Sequence, residues 1–177
     1  MVELISWEQA LIRSHQKLFV RSFHGAPFAP GFPKCGPGWR RIVIKLVDRV
    51  SNAAADYPVR FVQISEKWGR LEIYWTAKVG LPQEVEHAID EAVALAEAAS
   101  VCTCSSCGAE GQLFSDYGCL VTACVDHARG TPVLTPLGFA NAHIVREYVE
   151  TDIPIARCRR YDRTLDAFVD VDPEALL

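Results

Sequence analysis

No apolar run in these 177 residues approaches bilayer-spanning length, and the amino-terminal MVELISWEQALIRSHQKLF is broken by charges where a secretory signal would be continuously apolar. These absences point to a soluble, cytoplasmic protein with no membrane partner. Also missing are a Gly-x-Ser-x-Gly elbow, a phosphate-binding glycine loop and a His-Glu-x-x-His helix. The commonest hydrolase, nucleotide-binding and metalloprotease signatures are thereby removed. There is no internal repeat and no low-complexity tract. Half of the residues are hydrophobic, enough for one sizeable core with a small appended module but short for two full domains.

The net charge of -4 conceals an asymmetry. Residues 1–81 hold 12 basic and 6 acidic groups, a net of +6, whereas residues 82–177 hold 6 and 16, a net of -10. A chain polarised in this way suits an oppositely charged partner surface, and its basic half suits nucleic acid.

Periodicity predicts an α+β fold in which helices pack on antiparallel β-hairpins. Ser6-x-x-Gln9 has the form of a capping box and opens a first helix of about 7–20. The proline- and glycine-rich stretch 24–38 reads as an ordered loop or hinge. Trp39, Ile42, Val43, Leu46, Val50 and Ala53 then recur at helical spacing over about 39–55. Strands follow at about 59–65, with Val59, Phe61 and Gln63 alternating against Val62 and Ile64, and at about 70–76, with Leu71, Ile73 and Trp75 on one face. Their turn lies near Lys67-Trp68-Gly69, where glycine supplies positive φ. Pro82 suits the first position of a third helix that ends near Ser100. Further on, 141–150 reads as a short helix and 153–171 as a hairpin turning near Asp162-Arg163-Thr164. The implied organisation is a helix-and-hairpin core over 1–100, a zinc-knuckle module over 101–130, and a C-terminal hairpin segment over 131–177 that packs on the core.

Seven cysteines, five of them between Cys102 and Cys124, are an odd number for a disulfide framework and suit a metal site in a reducing compartment. Cys104-x2-Cys107-Gly108 is a knuckle: two thiolates on a tight turn grip one ion. Cys124-x2-His127 repeats the spacing after 16 residues, so Cys104, Cys107, Cys124 and His127 supply the four ligands of a tetrahedral zinc. Cys102 in place of Cys104, or Cys119 in place of His127, gives alternative ligand sets, and a Cys102–Cys119 redox pair is a further reading. Four protein ligands close the coordination sphere, and no His-x-Glu precedes Cys104 as in the zinc deaminases. The expected zinc is therefore structural.

Other candidates lie outside the cluster. His87, followed by Asp90 and Glu91 on one helix face, has the makings of an oriented base for a hydrolase or transferase, of part of a second metal site, or of a solvated acidic face. Arg41, Lys45 and Arg49 form a basic strip that would track phosphates or simply meet solvent. Arg157, Arg159, Arg160 and Arg163 are expected to pair within their hairpin with Asp162, Asp166, Asp170, Asp172 and Glu174. Trp68 at a turn tip and Trp39 beside the Pro/Gly stretch are candidate anchors for a protein partner, the alternative being that both close over the core.

The order CGPGW, then VQISEKWGRLEIYW, then CSSCGAEG and CVDHA resembles that of a group of functionally unassigned bacterial and phage-borne small proteins. Their shared pattern is Cys-Gly-x-Gly-Trp, a Glu-Lys-Phe-Gly-x-Leu-Arg-Phe-Tyr-like hairpin, and a Cys-x2-Cys-Gly to Cys-x2-His zinc-ribbon-like end. The resemblance covers about 35–128 and implies that Cys35, Gly36, Gly38, Trp39, Glu66, Lys67, Trp68, Gly69, Leu71 and the four ligands form one unit. Trp68 stands where the group tends to have Phe, and Glu72 where it tends to have Arg. With no catalytic constellation, an acidic C-terminal half and aromatic anchors, the expected function is non-enzymatic: a protein that binds and blocks or adapts another protein, as toxin-immunity or phage counter-defence inhibitors do. The alternative is a zinc-containing nucleic-acid-binding regulator.

Overall fold

The computed structural model describes residues 5–136, 138–148 and 154–171. In chain order its elements are helices α1 (Trp7–Ser14) and α2 (Gln16–Phe19), strands β1 (Arg21–Phe23), β2 (Ala26–Phe28) and β3 (Pro33–Lys34), then helix α3 (Arg40–Ala54). Strands β4 (Val59–Lys67) and β5 (Arg70–Ala77), helix α4 (Gln83–Val101), and strands β6 (Gln112–Asp116), β7 (Cys119–Ala123) and β8 (Thr131–Pro132) come next. Strands β9 (Ala142–Tyr148), β10 (Pro154–Asp162) and β11 (Ala167–Asp170) end the series. Among the described residues the fold is α+β, with four α-helices and several small, mainly antiparallel sheets. Among the described residues no helix is long and apolar enough to cross a membrane.

The amino-terminal capping box forms as its sequence implies: the Ser6 hydroxyl accepts from Gln9 N, and Gln9 Oε1 accepts from Ser6 N. The helix it starts does not continue to residue 20. It breaks at His15, at φ -127° and ψ 45°, where Nδ1 lies 3.3 Å from the Leu11 carbonyl oxygen and Nε2 lies 3.5 Å from Asp48 of α3. The break turns Leu18 and Phe19 into the core. The expected loop over 24–38 also proves more structured. His24 and Gly25, both at positive φ, make a two-residue turn between β1 and β2, and β3 pairs parallel to β4.

The central hairpin pairs Val59 with Ala77 through Lys67 with Arg70. A bulge between Phe61 and Gln63 shifts the alternation, so the inward residues of β4 are Val59, Phe61 and Ile64; Gln63 faces outward, bonded to Ser65 and Glu72. Its turn is the two residues Trp68 and Gly69, both in the left-handed region at φ 54° and 75°. On α3, Val43, Leu46, Val47 and Val50 are buried, as the helical spacing implies. Pro82 is the N-cap of α4, one position before the one expected for it.

Residues 142–148 form strand β9, not a helix. The physical cause is the antiparallel pairing with β10, which leaves Ile144 exposed and buries its neighbour Val145. With β10 at the centre, β9 and β11 build a three-stranded sheet whose last turn occupies residues 163–166. Helix α4 carries two apolar faces. Ile89, Ala92 and Ala96 join the main core with α3, β4 and β5, while Leu95, Ala98, Ala99 and Cys102 pack against Val145, Tyr161 and Phe168 of the C-terminal sheet. Alanine on both faces lets both neighbours approach closely, and α4 delivers the chain from that layer directly into the cysteines.

Candidate metal centre

Cys104, Cys107, Cys124 and His127 bring one donor atom each to within 4.8 Å of one another, a group that could hold a metal ion. The Sγ atoms of Cys107 and Cys124 are 3.7 Å apart, and His127 Nδ1 lies 3.2 Å from Cys124 Sγ and 3.8 Å from Cys104 Sγ. A tetrahedron built on metal–sulfur bonds of about 2.3 Å has edges of ~3.8 Å. The Cys107–Cys124 sulfur separation matches one edge of such a tetrahedron.

Two local turns build the ligand set. Gly108 N donates to the Cys104 carbonyl and Cys104 N to the Ala109 carbonyl, curling the first knuckle; His127 N donates to the Cys124 carbonyl, closing the second. Strands β6 and β7 carry the chain between them, and Ser105 N donates to Thr122 O to hold the knuckle on β7. Burial pulls the Cys104 thiol up, but backbone N–H groups of Cys124, Cys107 and Ser106 outweigh it and leave the thiol below its ordinary range. Cys124 is lowered in the same sense, burial being outweighed by N–H donors of Asp126 and His127 and by Cys107. Cys107 goes the other way: the Ala109 N–H pulls it down, but desolvation and the adjacent Cys104 and Cys124 sulfurs leave it raised. Three thiolates this close ionise together only with a cation between them.

The core grips this module at two places. The Gly36-Pro37-Gly38-Trp39 segment lies against the first knuckle: Gly38 N donates to Ser105 O at 2.8 Å, and the Trp39 indole N–H donates to Thr103 O at 2.6 Å. A Cβ at Gly38 would fall 2.5 Å from Gly108 N and 2.8 Å from Cys107 N, and closer still to the Cys104 carbonyl oxygen, so only glycine permits this approach. At the second place the hairpin tip meets β7. Thr122 donates its hydroxyl to Gly69 O at 2.5 Å, and the Ser100 hydroxyl accepts from Leu71 N while donating to Glu97 O. Buried hydroxyls at Ser100 and Thr122 were not legible as functional in the sequence, where nothing sets them apart from other small polar residues.

Several sequence expectations need correction here. Trp39 is completely buried and belongs to the core, so it is no partner anchor. Trp68 is 69% exposed. Cys102 is buried at the end of α4 with its thiol directed at the Ala98 and Ala99 carbonyls, and burial raises it; Cys119 is exposed at the start of β7. Neither belongs to the four-donor group, and all seven cysteines are free thiols. Asp90 accepts from the Trp75 indole N–H at 3.1 Å.

The basic strip of α3 borders a cleft, with Arg41 and Lys45 exposed and Arg49 half-buried. Arg41, Lys45 and Arg49 line a cleft of about 650 Å³ between α3, the knuckle and the C-terminal hairpin, together with Arg40, Arg163, Glu110 and Asp166. Asp166, held at φ 52° in the last turn, binds Lys45 Nζ at 2.7 Å and Arg49 at 3.0 Å and accepts from the Tyr161 hydroxyl. Arg163 donates to the Gly108 carbonyl. Within the hairpin the described residues show part of the expected pairing. Arg159 meets Asp170, whereas Asp162 caps its own turn at Thr164 N and Leu165 N, and Asp166 reaches across to α3. Asp172 and Glu174 lie outside the described residues.

No protein-family model, curated protein or solved structure matches the chain.

Proposed function

We propose that this chain is a non-enzymatic, zinc-stabilised protein that binds and blocks or adapts another protein, and that it docks through the Trp68 hairpin tip. The observation that carries the reading is the state of Trp68. A large aromatic is 69% exposed and sits at φ 54°, a conformation that costs an L-residue roughly 1–2 kcal/mol. An exposed indole in a strained turn is a cost to the free protein that packing against a partner would repay. The tip is held from behind by Thr122 of β7, so metal at the knuckle would present a rigid anchor with little ordering to be done on binding.

Zinc is the ion that best suits three thiolates and one imidazole at tetrahedral spacing. With four protein ligands it would keep no open position for a substrate or water, so its role is structural and the chain acts by contact. The test is site-specific photocrosslinking in cells from position 68, with position 52 on exposed α3 as control. The expected result is one predominant adduct from position 68 alone, whose purified partner binds the wild-type chain at least about tenfold more tightly than Trp68→Ala. Equal or absent crosslinking at the two positions refutes the docking surface.

A zinc-containing nucleic-acid-binding regulator is the second reading. Arg40 and Arg41 favour it, since they line the cleft beside the knuckle without an ion pair among the described residues. It requires binding to DNA or RNA that weakens steeply with salt and is lost in Arg40→Gln/Arg41→Gln; no retention at low salt removes it.

A further inference from the structure

A second basic pocket lies away from the metal centre, between the β1–β2 hairpin and the edge of the central hairpin. It encloses about 540 Å³ and is lined by Arg21, Ser22, Pro58, Arg60, Thr76 and Lys78. Arg60 on β4 and Thr76 on β5 are cross-strand partners, Arg21 and Ser22 come from β1, and Lys78 follows β5. Three cations thus converge on one concavity whose lining has two hydroxyls and no carboxylate. None of the three makes an ion pair among the described residues. The larger cleft differs, since a carboxylate, Asp166, there already pairs with Lys45 and Arg49.

The Nε atoms of Arg21 and Arg60 are both buried and find no acceptor. A buried donor left unpaired costs about 1–3 kcal/mol, and here two occur on side chains that converge on the same pocket. An oxyanion in this concavity would meet all three cations: guanidinium groups bond phosphate oxygens through paired N–H donors, an ammonium adds a point charge, and serine and threonine hydroxyls take the remaining lone pairs. The space is a single concavity in the size range of small-ligand sites, not a track along which a polymer could run.

We propose that Arg21, Arg60 and Lys78, with Ser22 and Thr76, form a binding site for the phosphate group of a small ligand, either inorganic phosphate itself or a phosphorylated metabolite. The site is separate from the Trp68 surface and does not depend on it.

The experiment is titration calorimetry of the full chain, in chloride buffer, with inorganic phosphate and separately with a nucleoside 5′-monophosphate. Saturable one-to-one binding that is weakened at least about tenfold by Arg60→Met or Arg21→Met, and several-fold by Lys78→Gln, is the expected result. Lys78 is exposed and outside the strands, so Lys78→Gln tests the site even where an arginine variant folds poorly. Equal affinity for the two ligands identifies phosphate alone as the ligand, and tighter binding of the nucleotide identifies a phosphorylated metabolite. No binding of either up to about 5 mM overturns the site. So does binding that survives Lys78→Gln and the arginine variants but falls in Arg40→Gln/Arg41→Gln, or binding only of a single-stranded oligonucleotide.

Discussion

Gly38→Ala tests whether the core and the metal module are one mechanical unit. The added methyl would meet the backbone of Cys104, Cys107 and Gly108, none of which can rotate away as a side chain end could. Relief needs a displacement of about 1 Å between the start of α3 and the first knuckle, given ordinary carbon contacts of 3.5–4.0 Å. A shift of that size breaks Gly38 N to Ser105 O and the Trp39 indole to Thr103 O, both buried junction bonds. At about 1–3 kcal/mol for each group left unpaired, the expected loss is about 3–5 kcal/mol. For a chain of this size that corresponds to a melting point lowered by about 6–20 °C. The assay is a thermal melt of the metal-loaded chain, with release of metal to a chromogenic chelator followed in parallel; release should be faster in the variant. Gly80→Ala is the control, because a Cβ there meets nothing and its φ is ordinary, so it should be neutral or stabilising by up to about 1 kcal/mol. A Gly38→Ala melt within about 2 °C of wild type would refute the clamp.

Elemental analysis of protein purified under reducing conditions should find one zinc per chain, lost in Cys104→Ser, and chelation should lower the melt by more than about 10 °C; a metal-free chain with an unchanged melt contradicts the zinc reading. Trp68→Gly relieves a left-handed tryptophan and should leave stability unchanged or raise it by about 0.5–1 kcal/mol while abolishing partner binding; a large loss of stability would mean that the indole packs on its own chain. Burial alone would raise the Asp166 carboxyl, but the bonds from Lys45 and Tyr161 and the Arg49 charge outweigh it and hold the carboxyl below its ordinary 3.8. A depressed folded value means that its contribution is complete above the unfolded value and disappears as pH falls through the folded one. Chemical denaturation across pH should therefore show wild type exceeding Asp166→Asn above the ordinary carboxyl range, with the gap closing as pH falls below it; a gap independent of pH rules out the ion-pair explanation.

Much of the local structure was legible because it is local. The capping box at Ser6, the apolar face of α3, the Leu71–Ile73–Trp75 face of β5 and the knuckle spacing each depend on residues a few positions apart, where helix and strand periods leave a direct imprint. What escaped depended on partners distant in the chain. His15 breaks a helix beside Asp48 of α3, and the bulge at Phe61/Gln63 re-aims β4 so that Ile64 is buried. Residues 142–148 become a strand because β10 lies beside them.

The sequence by itself pointed to the donors that come together, since type and spacing single out Cys104, Cys107, Cys124 and His127, while the structure places Cys102 and Cys119 outside that group. Tertiary structure alone decided the fate of the surface candidates. Two tryptophans beside glycines look equivalent in the chain, yet Trp39 is fully enclosed against Thr103 while Trp68 is left outside by a two-residue turn. Burial is set by what folds back from far along the chain. The same holds for charge: Asp166 arrives from more than 100 residues away to occupy Lys45 and Arg49, whereas the pocket of Arg21, Arg60 and Lys78 is lined by no acid.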